Sequence, residues 1–115
     1  MPNELVNVHY QKFTGAAAID ETLAPGVAFR LLRIEAHWDA APSDSEAFTV
    51  TLDAGDGSGY DALLDSVDPS SGSQTDLVFP YGIGYEFEAD DEIDIAYGNT
   101  GLDTISGRFV YELAK

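Results

Sequence analysis

Tyr85-Glu86-Phe87-Glu88-Ala89-Asp90-Asp91-Glu92-Ile93-Asp94-Ile95-Ala96-Tyr97 is the stretch on which the fold turns. Its odd positions Tyr85, Phe87, Ala89, Ile93, Ile95 and Tyr97 are mostly apolar, and even positions 86 to 94 are all acidic. A period of two sends successive side chains to opposite faces of a strand, one towards a core and one towards water. The Asp90-Asp91 pair marks a turn, so the run reads as two strands.

The same period recurs on both sides of it. Val6, Val8 and Tyr10 alternate with Asn7, His9 and Gln11 near the start of the chain. Val27 to Trp38 is the longest candidate strand, with Leu32, Ile34, Ala36 and Trp38 on one face and Arg33, Glu35 and His37 on the other. Ala47 to Ala54 turns Phe48, Val50 and Leu52 inward, and Ile105 to Leu113 does the same with Phe109, Tyr111 and Leu113. Turn signals separate these runs at Pro25-Gly26, Pro42 to Asp44, Pro69 to Gly72, Pro80 to Gly84 and Asn99 to Gly101. Short strands at this spacing, each with one wet face, predict an all-β antiparallel sandwich of the Greek-key or jelly-roll kind. Only Tyr60 to Val67 reads as a short helix, because Tyr60, Leu63, Leu64 and Val67 fall at i, i+3, i+4 and i+7.

Composition bounds what such a sandwich can do. The chain has 115 residues, which predicts one domain. Its 44% apolar content, six Phe and six Tyr can fill a core, despite a net charge of −16. With no cysteine, disulfides and Cys-ligated metal sites are excluded. Five Lys and Arg against 21 Asp and Glu argue against nucleic acid and against an anionic membrane surface as partners. The opening Met-Pro-Asn-Glu-Leu-Val has neither a basic n-region nor an apolar h-region, so the expectation is a soluble chain without a signal peptide, made in the cytoplasm. Residues 34 to 107 hold 17 carboxylates and no Lys or Arg, and the few bases lie towards the two ends and on the long strand. The acidic run reads as a solvated surface, or as one that meets a basic partner.

No catalytic constellation stands out. The glycine-rich loop from Asp53 to Asp61 lacks the lysine of a phosphate loop, and its aspartates would repel phosphate. Asp53, Asp56 and Asp61 could instead offer oxygen ligands to calcium, although no closing Glu completes an EF-hand loop. In the alternative, the glycines supply a tight turn and Asp61 caps or abuts the short helix. Glu86, Glu88, Asp90, Asp91, Glu92 and Asp94 form a row that could hold cations or supply paired carboxylates for glycoside hydrolysis, but nothing marks a cleft between them. His9 and His37 belong to different strands, and Gly57-Ser58-Gly59 is not a nucleophile elbow. The expectation is therefore no enzyme activity and no cofactor, with calcium as the one exception.

Several segments resemble small tailed-phage virion proteins. Phe48-Thr49-Val50-Thr51-Leu52-Asp53-Ala54-Gly55, followed by Gly59-Tyr60-Asp61-Ala62-Leu63-Leu64, is similar to their strand, Asp/Gly/Ser turn and Tyr-Asp-x-x-Leu segment. Asp90-Asp91-Glu92-Ile93-Asp94-Ile95-Ala96-Tyr97-Gly98-Asn99-Thr100 resembles their Gly-Asp-x-Ile entry into the penultimate strand, with Asp90 in place of the Gly. Ile105 to Glu112 is similar to their closing strand, and the likeness covers roughly residues 27 to 113. It implies a jelly-roll-like domain on the virion, most often a capsid decoration or head-stabilising protein and sometimes a tail or fibre component. It further implies the major capsid protein as partner, a homo-oligomer with a trimer favoured, and no chemistry.

Residues 1–13 lie outside the likeness and are read as an N-terminal strand or arm, with 14–115 as the sandwich. Val6, Val8, Tyr10 and Lys12 are the candidate contacts of that arm, since an edge strand accepts a partner by β-augmentation. Deleting the arm is expected to leave the domain folded. The competing reading is a module that binds a glycan or receptor through Tyr60, Tyr81 and Tyr85, assisted by calcium at Asp53, Asp56 and Asp61.

Overall fold

The computed structural model describes residues 8–114, with 83 and 84 by backbone alone. Eight strands follow one another: β1 (Val8–Gly15), β2 (Ile19–Leu23), β3 (Phe29–Trp38), β4 (Phe48–Asp53), β5 (Ala62–Val67), β6 (Asp76–Phe87), β7 (Glu92–Tyr97) and β8 (Ile105–Leu113). They form two four-stranded antiparallel sheets, ordered β1-β8-β3-β6 and β2-β7-β4-β5. β1 to β4 alternate between the sheets, and β5 forms a hairpin with β4 in the second. β6 returns to the first beside β3, and β7 and β8 come to lie between earlier strands, which is the jelly-roll order. Alternation of apolar and polar residues closes the core between the sheets. Trp38, Phe48, Phe79 and Tyr97 make its aromatic centre, with Trp38 edge-on to Phe48 at 5.8 Å and to Tyr97 at 5.4 Å. Each such side chain contributes about 1.5–3 kcal/mol by leaving water.

The decisive stretch crosses from one sheet to the other. Glu86 and Phe87 end β6 in the first sheet, while Ile93, Ile95 and Tyr97 are buried from β7 in the second. The acidic row is therefore divided between two faces. Its turn is held by Asp91, a buried residue whose Oδ1 accepts from the Gly55 amide at 3.0 Å and whose Oδ2 accepts from the Glu88 amide at 2.8 Å. Gly55 is required there, since a Cβ would run into the Cβ of Asp90 and lie 2.9 Å from its carbonyl oxygen.

Four expectations need correction. Tyr60 to Val67 is not a helix: Ser58–Tyr60 is a single 3-10 turn and the rest is β5, paired with β4 from Phe48↔Val67 to Leu52↔Ala62. A register shift beside Val50 lets Leu64 and Val67 both lean on the core, and that bulged spacing imitates a helical period. Asp61 is the C-cap residue of that 3-10 turn, its amide donating to the Ser58 carbonyl at 3.2 Å, and its Oδ1 accepts from the Ala54 amide at 2.8 Å.

Pro80 to Gly84 does not reverse the chain either. β6 runs through it, and the register jumps from Arg33↔Pro80 to Leu31↔Tyr85. The extra residues bulge out opposite Leu32, with Gly82 at φ 63. That same irregularity corrects the inward face of β3, where Leu31 rather than Leu32 is buried beside Ile34, Ala36 and Trp38.

Finally, residues 8–13 of the N-terminal segment are β1 itself, which continues past the 13/14 boundary to Gly15. Phe13 is buried against Phe109 in the core, so deleting 1–13 removes core as well as an edge strand. Val6 lies outside the described residues. β2, with Ile19 and Leu23 inward, had no counterpart among the expected strands.

Candidate functional site

Charge divides the molecule by face. Lys12 is on β1, Arg30 and Arg33 are on β3, and Arg108 is on β8, so every described Lys and Arg belongs to the sheet β1-β8-β3-β6. Strand register puts all four on its outer face, together with Glu35, Asp76, Glu86 and Glu112. Four cations against four carboxylates leave that face close to neutral. The outer face of the other sheet carries Asp20, Asp53, Glu92 and Asp94 among threonines, with no base among the described residues.

The neutral face is a connected network. Glu35 binds both Arg33 and Arg108, the latter through Nε at 2.9 Å, and the Arg108 guanidinium stands 4.8 Å over the Tyr10 ring. Arg30 reaches Glu86 at 3.3 Å on one side and Glu112 at 3.5 Å on the other. Val110 points outward between Tyr10 and Arg33 yet is only 1% exposed, because the long side chains around it cover it. Val78 lies 59% exposed on the same face. Ser106 and Gly107, being small, leave a shallow concavity of about 340 Å³ bordered by Lys12, His37, Asp76 and Arg108.

His37 Nδ1 lies 2.7 Å from Asp76 Oδ1, and Ser106 sits beside His37 on the next strand. No hydrogen bond joins Ser106 to the ring among the described residues, and Asp76 is open to solvent. Hydrogen bonds from Arg33 and then Arg108 hold the Glu35 carboxyl below the usual carboxylate range, and those from His37 and Thr75 do the same for Asp76. A carboxylate depressed by folding stabilises above its unfolded pKa of about 4, and that stability is lost as pH falls through the folded value. Glu35→Gln is therefore expected to make the loss of Tm below about pH 4 shallower than in the parent, measured by melts across the acid limb. An unchanged limb would show that the network is not coupled to folding.

The sequence candidates fare unevenly. Among the described residues no three His, Asp or Glu side chains group to hold a metal ion, so Asp53, Asp56 and Asp61 do not converge as ligands. Tyr81 is buried, and its hydroxyl donates to Asp65 at 2.9 Å; burial and that bond push its ionisation up. It is not available for stacking, whereas Tyr60 and Tyr85 are exposed. Val8, Tyr10 and Lys12 lie on the outer side of β1, next to the Arg108 network. No protein-family model matches the chain, and no curated protein does.

Proposed function

We propose that this chain is a non-enzymatic structural protein of a virion, a decoration or stabilising protein seated as a homo-oligomer on a tailed-phage head against the major capsid protein. The observation that carries this reading is the division of charge between the two faces. A near-neutral, ion-paired face with Val78 and Tyr10 open on it is suited to lie against a protein surface, because few uncompensated charges have to be desolvated. The acidic opposite face keeps copies soluble and apart. The resemblance of the segments from Phe48 onward to small phage virion proteins supports the particle as the place.

Mass spectrometry of purified particles with copy-number quantification tests it. Hundreds of copies per particle are expected for a shell protein. A handful would move the chain to a tail or fibre, and none would reject the virion reading in favour of a glycan- or receptor-binding module using the exposed Tyr60 and Tyr85.

A further inference from the structure

Each sheet of the sandwich ends in two edge strands, and an open edge offers backbone donors and acceptors to any passing strand. Three of the four edges carry obstacles. On β6, Pro80 withholds a donor and the bulge before Tyr85 breaks the register. On β5, the register shifts again, and Asp65 turns its carboxylate towards Tyr81 at the sandwich edge. β2 has five residues, two of which are Asp20 and Glu21.

The fourth edge carries none of these. β1 keeps an unbroken eight-residue register with β8, from Val8↔Glu112 to Gly15↔Ile105. Among the described residues it has no proline, and it is the one strand of the eight without a carboxylate. In a chain of net charge −16, it is the described edge strand that brings no carboxylate of its own to a pairing between two copies. On the side away from β8 no strand pairs with it among the described residues.

The geometry points to β1 as the site of self-association: two copies pair antiparallel through their β1 edges and join their first sheets into one eight-stranded sheet. Antiparallel pairing centred on Gln11 sets Lys12 of each copy beside Tyr10 of the other on the outer face. The ammonium then lies near a ring that already carries the Arg108 guanidinium on its own side. Such an interface is isologous and closes as a dimer, which departs from the trimer that the resemblance implies. It also extends the near-neutral face into a plate twice as wide. The inference stands apart from the virion reading, since it rests on the edges alone.

Sedimentation equilibrium on the full chain tests it, in dilute buffer and in about 0.5 M NaCl, where the repulsion between copies is screened. A species of twice 12.3 kDa is expected, growing with salt. The variants Tyr10→Asp and Lys12→Asp place a carboxylate on the edge and are expected to raise the dimer Kd about tenfold or more. Ser71→Asp makes an exposed loop more acidic and is expected to leave the Kd near the parent value. The blue-shifted emission of the single, buried Trp38 confirms that each variant is folded. A monomer at all salt concentrations, a trimer, or a dimer indifferent to the edge variants would each overturn the inference.

Discussion

Asn99→Ala is expected to lower the stability of the domain by about 3 kcal/mol, or a fall in Tm of about 12 °C for a chain of this size. Asn99 is 1% exposed, and its side chain organises the whole β7–β8 connection. Nδ2 donates to the carbonyls of Ala17 and Asp103, each at 2.9 Å, and Oδ1 accepts from the Asp103 amide at 3.0 Å. Alanine leaves those three backbone groups without their partner at a part-buried site. Asn99 also sits at φ 51, in the left-handed region that asparagine tolerates and alanine resists. Asn99→Gly separates the two causes, since it relieves the backbone while still losing all three hydrogen bonds. It is expected to recover about 1 kcal/mol of the loss and no more. Chemical denaturation followed through Trp38 emission measures both, and a loss in Asn99→Ala below about 1 kcal/mol would refute the account.

Gly107→Ala is the second large effect, at about 3 kcal/mol, from overcrowding instead of lost bonds. Gly107 on β8 faces Phe13 on β1 and Ala36 on β3. A Cβ there would run into both the Glu35 carbonyl oxygen and the rim of the Phe13 ring. The ring can swing away at the cost of its edge contact with Phe109, but the carbonyl is fixed in the β3–β8 ladder. Phe13→Leu is therefore expected to rescue Gly107→Ala only in part. Full rescue in the double variant would show that the ring alone sets the constraint, and no loss in the single variant would show that the sheet opens freely there.

Much of the architecture is legible in the residues. The alternation at Ile93, Ile95 and Tyr97, at Phe48 and Val50, and at Ile34, Ala36 and Trp38 predicts buried faces that the structure confirms. Three expectations failed where the period breaks. Leu32 lies in an irregularity that shifts the inward set to Leu31, Leu64 adds a residue that makes a strand imitate a helix, and Gly82 bends a strand without reversing it. A bulge adds one or more residues to one strand, so its local pattern is ambiguous, and only pairing with the neighbouring strand resolves it.

The candidate face was legible in half. Arg33, Glu35 and His37 share a face by simple alternation, and a reader of the chain can place them in water. That Glu35 meets Arg108 from 73 residues away, and that Lys12 and Tyr10 join them, depends on β8 lying between β1 and β3.

The opening run of alternating acids shows the same division. Local chemistry makes Tyr85 to Tyr97 into two strands around a turn, because a period of two and a pair of aspartates act over a few residues. It also makes the chain acidic, β-rich and able to fill a core. Where the acids end up is a non-local matter. The turn at Asp91 carries the chain from one sheet to the other, so Glu86 joins a near-neutral face while Glu92 and Asp94 join an acidic one. Strand order arises from the packing of the whole chain against itself, and no stretch of a dozen residues contains the partners that decide it.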